Sequence, residues 1–312
     1  MRLPLLVTMA AWGANLSAMK LLLERYDPVL ISASRMAVAA LALAVVAWLR
    51  HLRRTQLWPR LSGRQWLGLL ACAVLMVYVN QLLLVWGIQR TAAANASLVI
   101  ALNPLVSSLL AAALLGDRLT PARLAGVGLG FLGVAAVVLN RPGASLAGAG
   151  FGDLLVLGAV LTWVAGGALV QRLGRGLDAA SISTVIHVAG GLMLALHVAL
   201  LSLLDLGVSW PPLAAVRAQD VALIAATGLV ATAFGAMVWN RALQLLGVAR
   251  TALYAYWVPI FGVGFAVAWL GEPLTGWHAF GLVAVLSGTW LGTRRPAAAL
   301  VQTGAPVPTS RP

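Results

Sequence analysis

The chain has 312 residues, of which 61% are hydrophobic and 9% are charged, and its mean hydropathy is +0.94. Soluble domains average about 45–50% apolar and about 25% charged residues, so a soluble core of this size cannot bury so much apolar surface. The composition therefore predicts a protein that crosses a membrane several times. The net charge of +13 does not indicate nucleic-acid binding, because the sequence lacks a charge-rich face.

Ten apolar runs have the 17–25 residues that a helix needs to cross a bilayer. Several connections between them are very short, so consecutive helices are expected to be antiparallel neighbours, and no room remains for a soluble domain. Residues 296–312 are rich in Pro, Ala and Thr and predict a disordered tail. The predicted spans are 4–23, 29–49, 66–88, 92–115, 122–139, 152–173, 179–203, 220–245, 249–270 and 276–293.

The arginines predict the orientation, because cytoplasmic loops are enriched in Arg and Lys. With the N-terminus inside, fourteen arginines lie on the cytoplasmic side and four on the opposite side. Both termini are therefore expected in the cytoplasm. Lys20 is the only lysine beside 20 arginines, a composition typical of GC-rich bacteria, so the bacterial inner membrane is the expected location. The only cysteine, Cys72, lies in an apolar run, so neither a disulfide nor a cysteine metal site is expected within the chain.

The sequence repeats itself after about half its length. A shift of 155 residues, or of 151 near the start of each half, superposes matching residues in order. The first five spans, in residues 1–140, thus correspond to the last five, in residues 141–295. Because five is odd, the second half enters the membrane from the opposite side, and such inverted repeats are typical of alternating-access transporters. The matched pairs are Pro104 with Pro259, Gly116-Asp117 with Gly271-Glu272, Gly126 with Gly281, Gly133 with Gly288, Trp12 with Trp163, and Asp27 with Asp178.

These motifs resemble the EamA-type members of the drug/metabolite transporter superfamily over nearly the whole chain. The resemblance rests on Trp12-Gly13-Ala14-Asn15, Arg35, the two repeated prolines, and the segments Gly116-Asp117-Arg118-Leu119-Thr120 and Gly271-Glu272-Pro273-Leu274-Thr275. It implies a ten-helix carrier with a central cavity that exports amino acids or related metabolites. The sequence departs from the family in having Asp117 where Glu is more frequent, and Ile186 and His187 where the first half has Arg35.

Two prolines and two ionisable side chains are candidates for transport. Pro104 and Pro259 fall near the middle of spans and are expected to loosen the bonding of the carbonyls four residues earlier, at Ile100 and Ala255, although each proline can also be a merely structural kink. Arg35 lies about 9 Å below the outer end of its span, where it can bind a substrate carboxylate or hydrogen-bond to helix-end carbonyls. Histidine ordinarily titrates near neutral pH, so His187 is the candidate for proton coupling, with a neutral hydrogen-bonded histidine as the alternative.

The other candidates are aromatic and amide side chains within the predicted spans. Trp12 and Trp163 fall near the midplane and can enclose an apolar or aromatic substrate, whereas Tyr78 with Gln81 and Tyr254 with Trp257 share helix faces. Asn103 can bind substrate or satisfy the backbone loosened at Pro104. Helix packing is the alternative for each of them. The predicted substrate-binding set is Trp12, Asn15, Arg35, Tyr78, Gln81, Asn103, Trp163, Tyr254 and Trp257.

Three other functions were weighed against export of carboxylate-bearing metabolites. A membrane-embedded enzyme is disfavoured because HExxH and other nucleophile or metal motifs are absent from the sequence, so no cofactor is expected. An assembly scaffold is disfavoured by the short loops. Export of cationic drugs or other amphiphilic metabolites would require a deep carboxylate, yet all eight acidic residues fall in loops or at span ends. Asp117 and Glu272 are expected to be structural. The expected partners are a small-molecule substrate and the lipid bilayer, and a monomer suffices.

Overall fold

In the computed structural model, the described residues are 2–52, 61–103, 105–107, 109–110, 120–140, 150–173, 177–246, 251 and 253–293, and within these ranges every regular element is helical. Pro104, Asp117 and the predicted tail 296–312 lie outside them. The α-helices are α1 (Arg2–Leu23), α2 (Pro28–Leu52), α3 (Gly63–Ala73), α4 (Asn80–Arg90), α5 (Ala93–Ile100), α6 (Pro121–Leu139), α7 (Phe151–Leu173), α8 (Ala179–Leu203), α9 (Ala218–Ala226), α10 (Gly235–Leu246), α11 (Trp257–Leu270) and α12 (Gly276–Thr293).

Among the described residues, six helical segments are long and apolar enough to cross a membrane. They are Arg2–Leu23, Pro28–Leu52, Gly63–Arg90, Phe151–Val170, Ala179–Leu203 and Ala218–Ala242. The other four predicted spans correspond in position to the shorter helices α5, α6, α11 and α12. The prediction of an all-helical, multi-pass membrane protein is confirmed, whereas ten as the number of crossings stays a prediction.

Two aspartates at matching positions of the halves begin matching helices. The Oδ1 atom of Asp27 accepts hydrogen bonds from the N–H groups of Val29 and Leu30, at the start of α2. The Oδ1 atom of Asp178 accepts from the N–H groups of Ala180 and Ser181, at the start of α8. Such caps satisfy backbone donors that the first helical turn leaves unpaired. The same local chemistry therefore defines where these two helices begin.

Helices at matching positions pack against each other. α2 packs on α8, its counterpart in the second half, and α6 packs on its counterpart α12. Between α6 and α12 a Cβ atom on Gly288 would lie 2.5 Å from the carbonyl oxygen of Gly126, and one on Gly133 would lie 3.0 Å from that of Gly281. Because the repeat matches Gly133 with Gly288 and Gly126 with Gly281, the two close approaches are equivalent. The two helices therefore meet about a local two-fold axis.

We expect the Gly288→Ala substitution to destabilise the protein. Its methyl group would meet backbone atoms of Gly126 and Gly130, which cannot move aside as a flexible side chain can. Overpacking of this kind costs about 1–3 kcal/mol. The thermal unfolding midpoint in detergent measures the effect, and Gly128→Ala, in α6 with nothing within 4 Å of the added atom, is the matched control. Equal midpoints for both variants would contradict this packing.

Two helices contain π-helical turns at corresponding places. The segment π1 (Val74–Val79) joins α3 to α4, and the segment π2 (Thr227–Phe234) joins α9 to α10. Each falls in the third predicted span of its half, where the sequence predicts regular helices over 66–88 and 220–245. π-Helical turns are rare and are often found at functional sites. Both segments contribute residues to the cavity described below.

Pro259 differs in position from the sequence prediction. It was expected near the middle of a continuous helix, but a 3₁₀-helix, Leu253–Tyr256, precedes α11, and Pro259 lies in the first turn of α11. A proline is tolerated there because the first turn does not use its missing N–H. In the other half, α5 ends at Ile100 and a turn follows at Ala101 and Leu102. Helical hydrogen bonding thus changes near both prolines of the predicted pair.

Candidate functional site

A cavity of about 160 Å³ lies among the helices of both halves. A water molecule needs about 10–15 Å³ on this measure, so the cavity has room for a small metabolite. Much of its wall is apolar, and Ile100 and Ala255 both contribute to it. The lining includes six of the predicted substrate-binding residues and the predicted proton-coupling residue, namely Trp12, Asn15, Arg35, Gln81, Asn103, Trp163 and His187.

Arg35 turns inward from α2 and is only 2% exposed. Its Nε donates to Thr227 Oγ1 at 3.1 Å and its Nη1 to Gln81 Oε1 at 3.2 Å. Its Nη2 donates to Asn15 Oδ1 at 2.8 Å and to Thr232 Oγ1 at 3.4 Å. These acceptors are side-chain oxygens from both halves of the chain, rather than the helix-end carbonyls considered from the sequence. They fix the guanidinium in the cavity wall.

The acceptors of Arg35 are all uncharged. Within the described ranges, no carboxylate forms an ion pair with this guanidinium. A buried charge without a counterion is costly unless it is hydrogen-bonded, and an ionised partner forms stronger hydrogen bonds than a neutral one. A guanidinium has five N–H donors, of which four are used here, and the second N–H of Nη1 has no acceptor among the residues described. An anionic group in the cavity would supply both the charge and the acceptor.

The acceptors around Arg35 are themselves held in place. Gln81 donates through Nε2 to Asn80 Oδ1, and Asn80 donates through Nδ2 to the carbonyl oxygen of Ala159 in α7. Thr232 donates to the carbonyl oxygen of Thr227, five residues earlier, which is the hydrogen-bond spacing of a π-helix. The hydroxyl groups of Thr227 and Thr232 can therefore both reach one guanidinium. The π2 segment is part of the arginine site.

His187 projects from α8 into the same cavity and is 7% exposed. Its Nδ1 lies 2.8 Å from the carbonyl oxygen of Ser183, one helical turn earlier. The hydroxyl of Ser183 accepts a hydrogen bond from Asn240 Nδ2 at 2.7 Å. The ring orientation is thus set by an internal hydrogen bond.

Three indole rings form one wall of the cavity. The ring centroids of Trp12 and Trp163 are 6.1 Å apart, with the planes at 85°, so the edge of one ring meets the face of the other. The ring centroid of Trp239 lies 5.3 Å from that of Trp12. The Nε1 of Trp12 donates to the carbonyl oxygen of Ala231 in π2 at 2.7 Å, which fixes the indole. The repeat partners Trp12 and Trp163 therefore meet in one wall, as their matching positions in the two halves suggest.

Three of the predicted substrate-binding residues do not line the cavity. The hydroxyl of Tyr78 lies 2.9 Å from His197 Nδ1, so Tyr78 is held against α8. Tyr254 packs against the apolar cluster of Leu5, Val238 and Ala242. Trp257 is 45% exposed and stacks on Phe261 of its own helix. Tyr78 itself lies in the π1 segment, so the spacing that would place it on one α-helical face with Gln81 does not apply.

Several residues that line the cavity or support it were not predicted from the sequence. Trp239 lies well inside its predicted span, which is the property that selected Trp12, so it could have been included. Thr227 and Thr232 could not, because residues five apart lie on different faces of a regular α-helix. Asn80 was not predicted as a site residue, and it both lines the cavity and accepts a hydrogen bond from Gln81.

Acidic side chains near the helix ends connect the two halves. Glu272, after α11, accepts hydrogen bonds from the N–H groups of Ala93 and Ala94 at the start of α5, at 2.8 and 3.0 Å. Asp178 accepts from Arg50 at 3.2 Å. Partial burial raises the pKa of Asp178, but hydrogen bonds from Ser181 and the charge of Arg50 outweigh it and hold this pKa below its ordinary value. These carboxylates serve as helix caps and ion-pair partners.

A helical membrane protein whose small cavity is walled by a buried arginine, amides and indoles has the features of a small-molecule transporter. The sequence model of the EamA-like transporter family matches this chain twice, over residues 3–139 and 150–294. The chain belongs to this family of transporters, and the resemblance stated from its motifs is confirmed.

Relatives that match most of the chain agree with this assignment. A "Probable terminal-alkyne amino-acid exporter" of Streptantibioticus cattleyicolor is 32% identical over 86% of this chain and 84% of its own length. The protein RarD of Streptomyces exfoliatus is 30% identical over 88% of this chain and 82% of its own length. One solved crystal structure has the same fold, with a TM-score of 0.66 and 18% identity, over 96% of this chain and 98% of that one.

Proposed function

We propose that the protein is a secondary transporter that exports amino acids or related small carboxylate-bearing metabolites. The observation that carries this proposal is the buried guanidinium of Arg35, which lies in the cavity wall with only neutral acceptors. A substrate carboxylate would supply the missing negative charge and accept the remaining N–H of Nη1. The relative from Streptantibioticus cattleyicolor, named as an amino-acid exporter, supports the same substrate class.

Within this proposal the cavity-lining residues divide by chemistry. Arg35 binds the carboxylate, and Trp12 and Trp163 enclose the substrate side chain. Asn15 and Gln81 hold Arg35, and Asn103 adds a further amide to the wall. His187 exchanges the proton that drives export. The helix ends near Pro104 and Pro259 bring backbone carbonyls at Ile100 and Ala255 to the substrate.

The proposed mechanism is alternating access in a ten-helix carrier built from two inverted repeats, residues 1–140 and 141–295, with both termini in the cytoplasm of a bacterial cell. Support comes from the two separate family matches, from the π-helical turns at corresponding places, and from the symmetric glycine contacts between α6 and α12. Two similar halves of opposite orientation can exchange conformations, so inward-open and outward-open states have similar energies.

Export of cationic drugs is the second candidate, because the superfamily resemblance includes drug carriers. A hydrophobic cation in the membrane interior needs a nearby carboxylate. Among the described residues that line the cavity none is acidic, and Arg35 would repel a cation. The cavity therefore favours a substrate with a carboxylate.

Flux into vesicles that contain the purified protein tests the substrate class. We expect saturable transport of one or more of the proteinogenic amino acids, accelerated by a pH gradient, and little transport of tetraphenylphosphonium or other permanent cations. Vesicles without protein are the control. Saturable flux of permanent cations without any amino-acid flux would contradict the proposal.

The topology can be tested separately with fusion reporters. We expect a reporter that is active only in the cytoplasm to work when fused after Arg60 or Arg295 and to fail when fused near Gly143. The reason is the excess of arginines in the loops assigned to the inside. Activity of the fusion near Gly143 would show that the number of crossings before it is not five.

A further inference from the structure

The hydrogen bond of His187 shows which of its two ring nitrogens can accept a hydrogen bond from a molecule in the cavity. A carbonyl oxygen can only accept, so Nδ1, 2.8 Å from the carbonyl oxygen of Ser183, carries the hydrogen. In the neutral ring, Nε2 then has a lone pair and no hydrogen. This nitrogen has no partner among the described residues, and the side chain lines the cavity. It is an acceptor available to a bound molecule.

Contacts between α2 and α8 place His187 relative to Arg35. The two helices run antiparallel, because Thr184 Oγ1 lies 3.5 Å from the carbonyl oxygen of Leu43 and a Cβ atom on Gly191 would lie 3.4 Å from that of Met36. His187 is therefore opposite residues 39 and 40 of α2. That level is four or five residues from Arg35, or about 6–8 Å at 1.5 Å per residue.

The separation of about 6–8 Å is an offset between two helix positions, and both side chains line the same cavity, so one small molecule can contact both. Hydrogen bonds to a guanidinium and to an imidazole are each about 2.9 Å long. The carboxylate and the amino group of an α-amino acid are attached to neighbouring carbon atoms, so one such molecule can form both hydrogen bonds at once. A substrate in this pose would give its carboxylate to Arg35 and donate a hydrogen bond from its ammonium group to His187.

The protonation state of His187 depends on what the cavity holds, because most ionisable groups on the elements packed against α8 are engaged elsewhere. Arg35 is the charged group on a neighbouring element that shares its cavity. The other ionisable groups on the elements packed against α8 have partners elsewhere or lie toward helix ends or the exterior. Tyr78 binds His197, Cys72 lies 3.6 Å from the carbonyl oxygen of Gly166, and Arg50 pairs with Asp178. His51, Arg64 and Arg241 are exposed.

We infer that Nε2 of His187 accepts a hydrogen bond from the ammonium group of an α-amino acid, and that the same lone pair takes the coupling proton once the substrate has left. This inference rests on the proposed function and adds the amino group to its substrate class. The proton adds to Nε2 to form an imidazolium and is released from Nε2 on the other side of the membrane. No bond of the substrate forms or breaks.

Competition for one lone pair couples the two fluxes. An imidazolium has a hydrogen on both nitrogens, so it cannot accept from the ammonium group, and its charge adds to that of Arg35 against a cationic end. Binding of the amino acid therefore requires loss of the proton, and protonation favours release of the amino acid. One proton enters for each zwitterion exported, so one positive charge moves inward per cycle.

Two substitutions at His187 separate the two halves of the inference. In His187→Leu the acceptor and the titratable group are both lost. In His187→Gln an amide oxygen can still accept from ammonium, but the side chain does not titrate. His197→Gln, which changes the histidine paired with Tyr78 outside the cavity lining, is the control.

The first measurement is inhibition of labelled amino-acid exchange at equal pH on both sides of the vesicle. Unlabelled L-phenylalanine and 3-phenylpropanoate, which lacks the amino group, are the inhibitors. We expect the wild type to prefer L-phenylalanine by about tenfold or more, as for a hydrogen bond to a charged group. His187→Leu should bring this ratio close to one while inhibition by 3-phenylpropanoate, which shows that the site is folded, is unchanged. His187→Gln should keep most of the preference.

The second measurement is accumulation driven by a pH gradient, which we expect to be lost in both His187 variants and kept in His197→Gln. A His187→Leu protein that keeps the full preference for L-phenylalanine would overturn the amino-group assignment. Undiminished gradient-driven accumulation in His187→Gln would overturn the proton assignment. A wild-type protein that carries none of the twenty amino acids would instead contradict the proposed function.

Discussion

The Arg35→Met substitution is expected to lower amino-acid transport by about 10- to 100-fold. Methionine is apolar and unbranched, so it fills much of the same space but removes the charge and all four hydrogen bonds to Asn15, Gln81, Thr227 and Thr232. A hydrogen bond between charged groups contributes about 1.5–3 kcal/mol, which sets the size of the expected loss. Initial rates of exchange in vesicles, at several substrate concentrations, measure it.

The Arg35→Lys substitution distinguishes charge from geometry. Lysine keeps the positive charge but has three donors on one nitrogen, so it cannot reproduce a planar fork that contacts four acceptors. We expect partial activity with a raised KM. Arg90→Met, at an exposed arginine that bonds to Trp86, is the control for loss of a positive charge and should transport normally. Wild-type transport by Arg35→Met would remove the carboxylate site from the mechanism.

The Trp12→Ala substitution is expected to weaken transport of bulky apolar or aromatic amino acids by about tenfold or more, with a smaller loss of folded protein. The change removes two indole contacts and the hydrogen bond to Ala231. It also removes part of the cavity wall on which the substrate side chain would pack. An aromatic pair contributes about 0.5–1.5 kcal/mol beyond burial, so loss of several contacts supports this magnitude.

Trp163→Ala should have a similar effect, because its indole lies against that of Trp12 in the same wall. Trp257→Ala is the control, since Trp257 is largely outside the core and does not line the cavity. Transport rates are compared with the yield of monodisperse protein after gel filtration. Normal rates in both cavity variants would mean that the two tryptophans serve packing alone.

The sequence predicted the helices and much of the cavity because both depend on local chemistry. Long apolar runs define where helices cross a membrane. An arginine within such a run is expected to face the interior of the helix bundle, because a charge exposed to lipid is costly. The internal repeat matched Trp12 with Trp163 and so indicated that the two tryptophans belong to the same site. For these residues position along the helix was sufficient.

The remaining features depend on contacts between distant parts of the chain. Thr227 lies 192 residues from Arg35, and no local signal marks it as a partner. Glu272 was expected to be structural, near a threonine that could cap the next helix. Its carboxylate does have a structural role, but it caps α5 of the other half, while the hydroxyl of Thr275 lies 2.8 Å from His278 Nδ1. Burial and pairing of this kind are decided by the packed structure.

The length of the π2 segment has a consequence that no substitution shares. A π-helical turn contains an additional residue relative to an α-helical turn, so removing one residue from Thr227–Phe234 would allow this stretch to become regular α-helix. The later residues of the same span would keep their orientation, because residue i+4 of an α-helix lies above residue i, where residue i+5 lies in a π-helical turn. Trp239 would still face Trp12 and Asn240 would still face Ser183. The wide turn through which Thr227 and Thr232 both reach Arg35 would be lost. The additional residue of π2 therefore serves the arginine site, whereas the contacts made later in the same span do not depend on it.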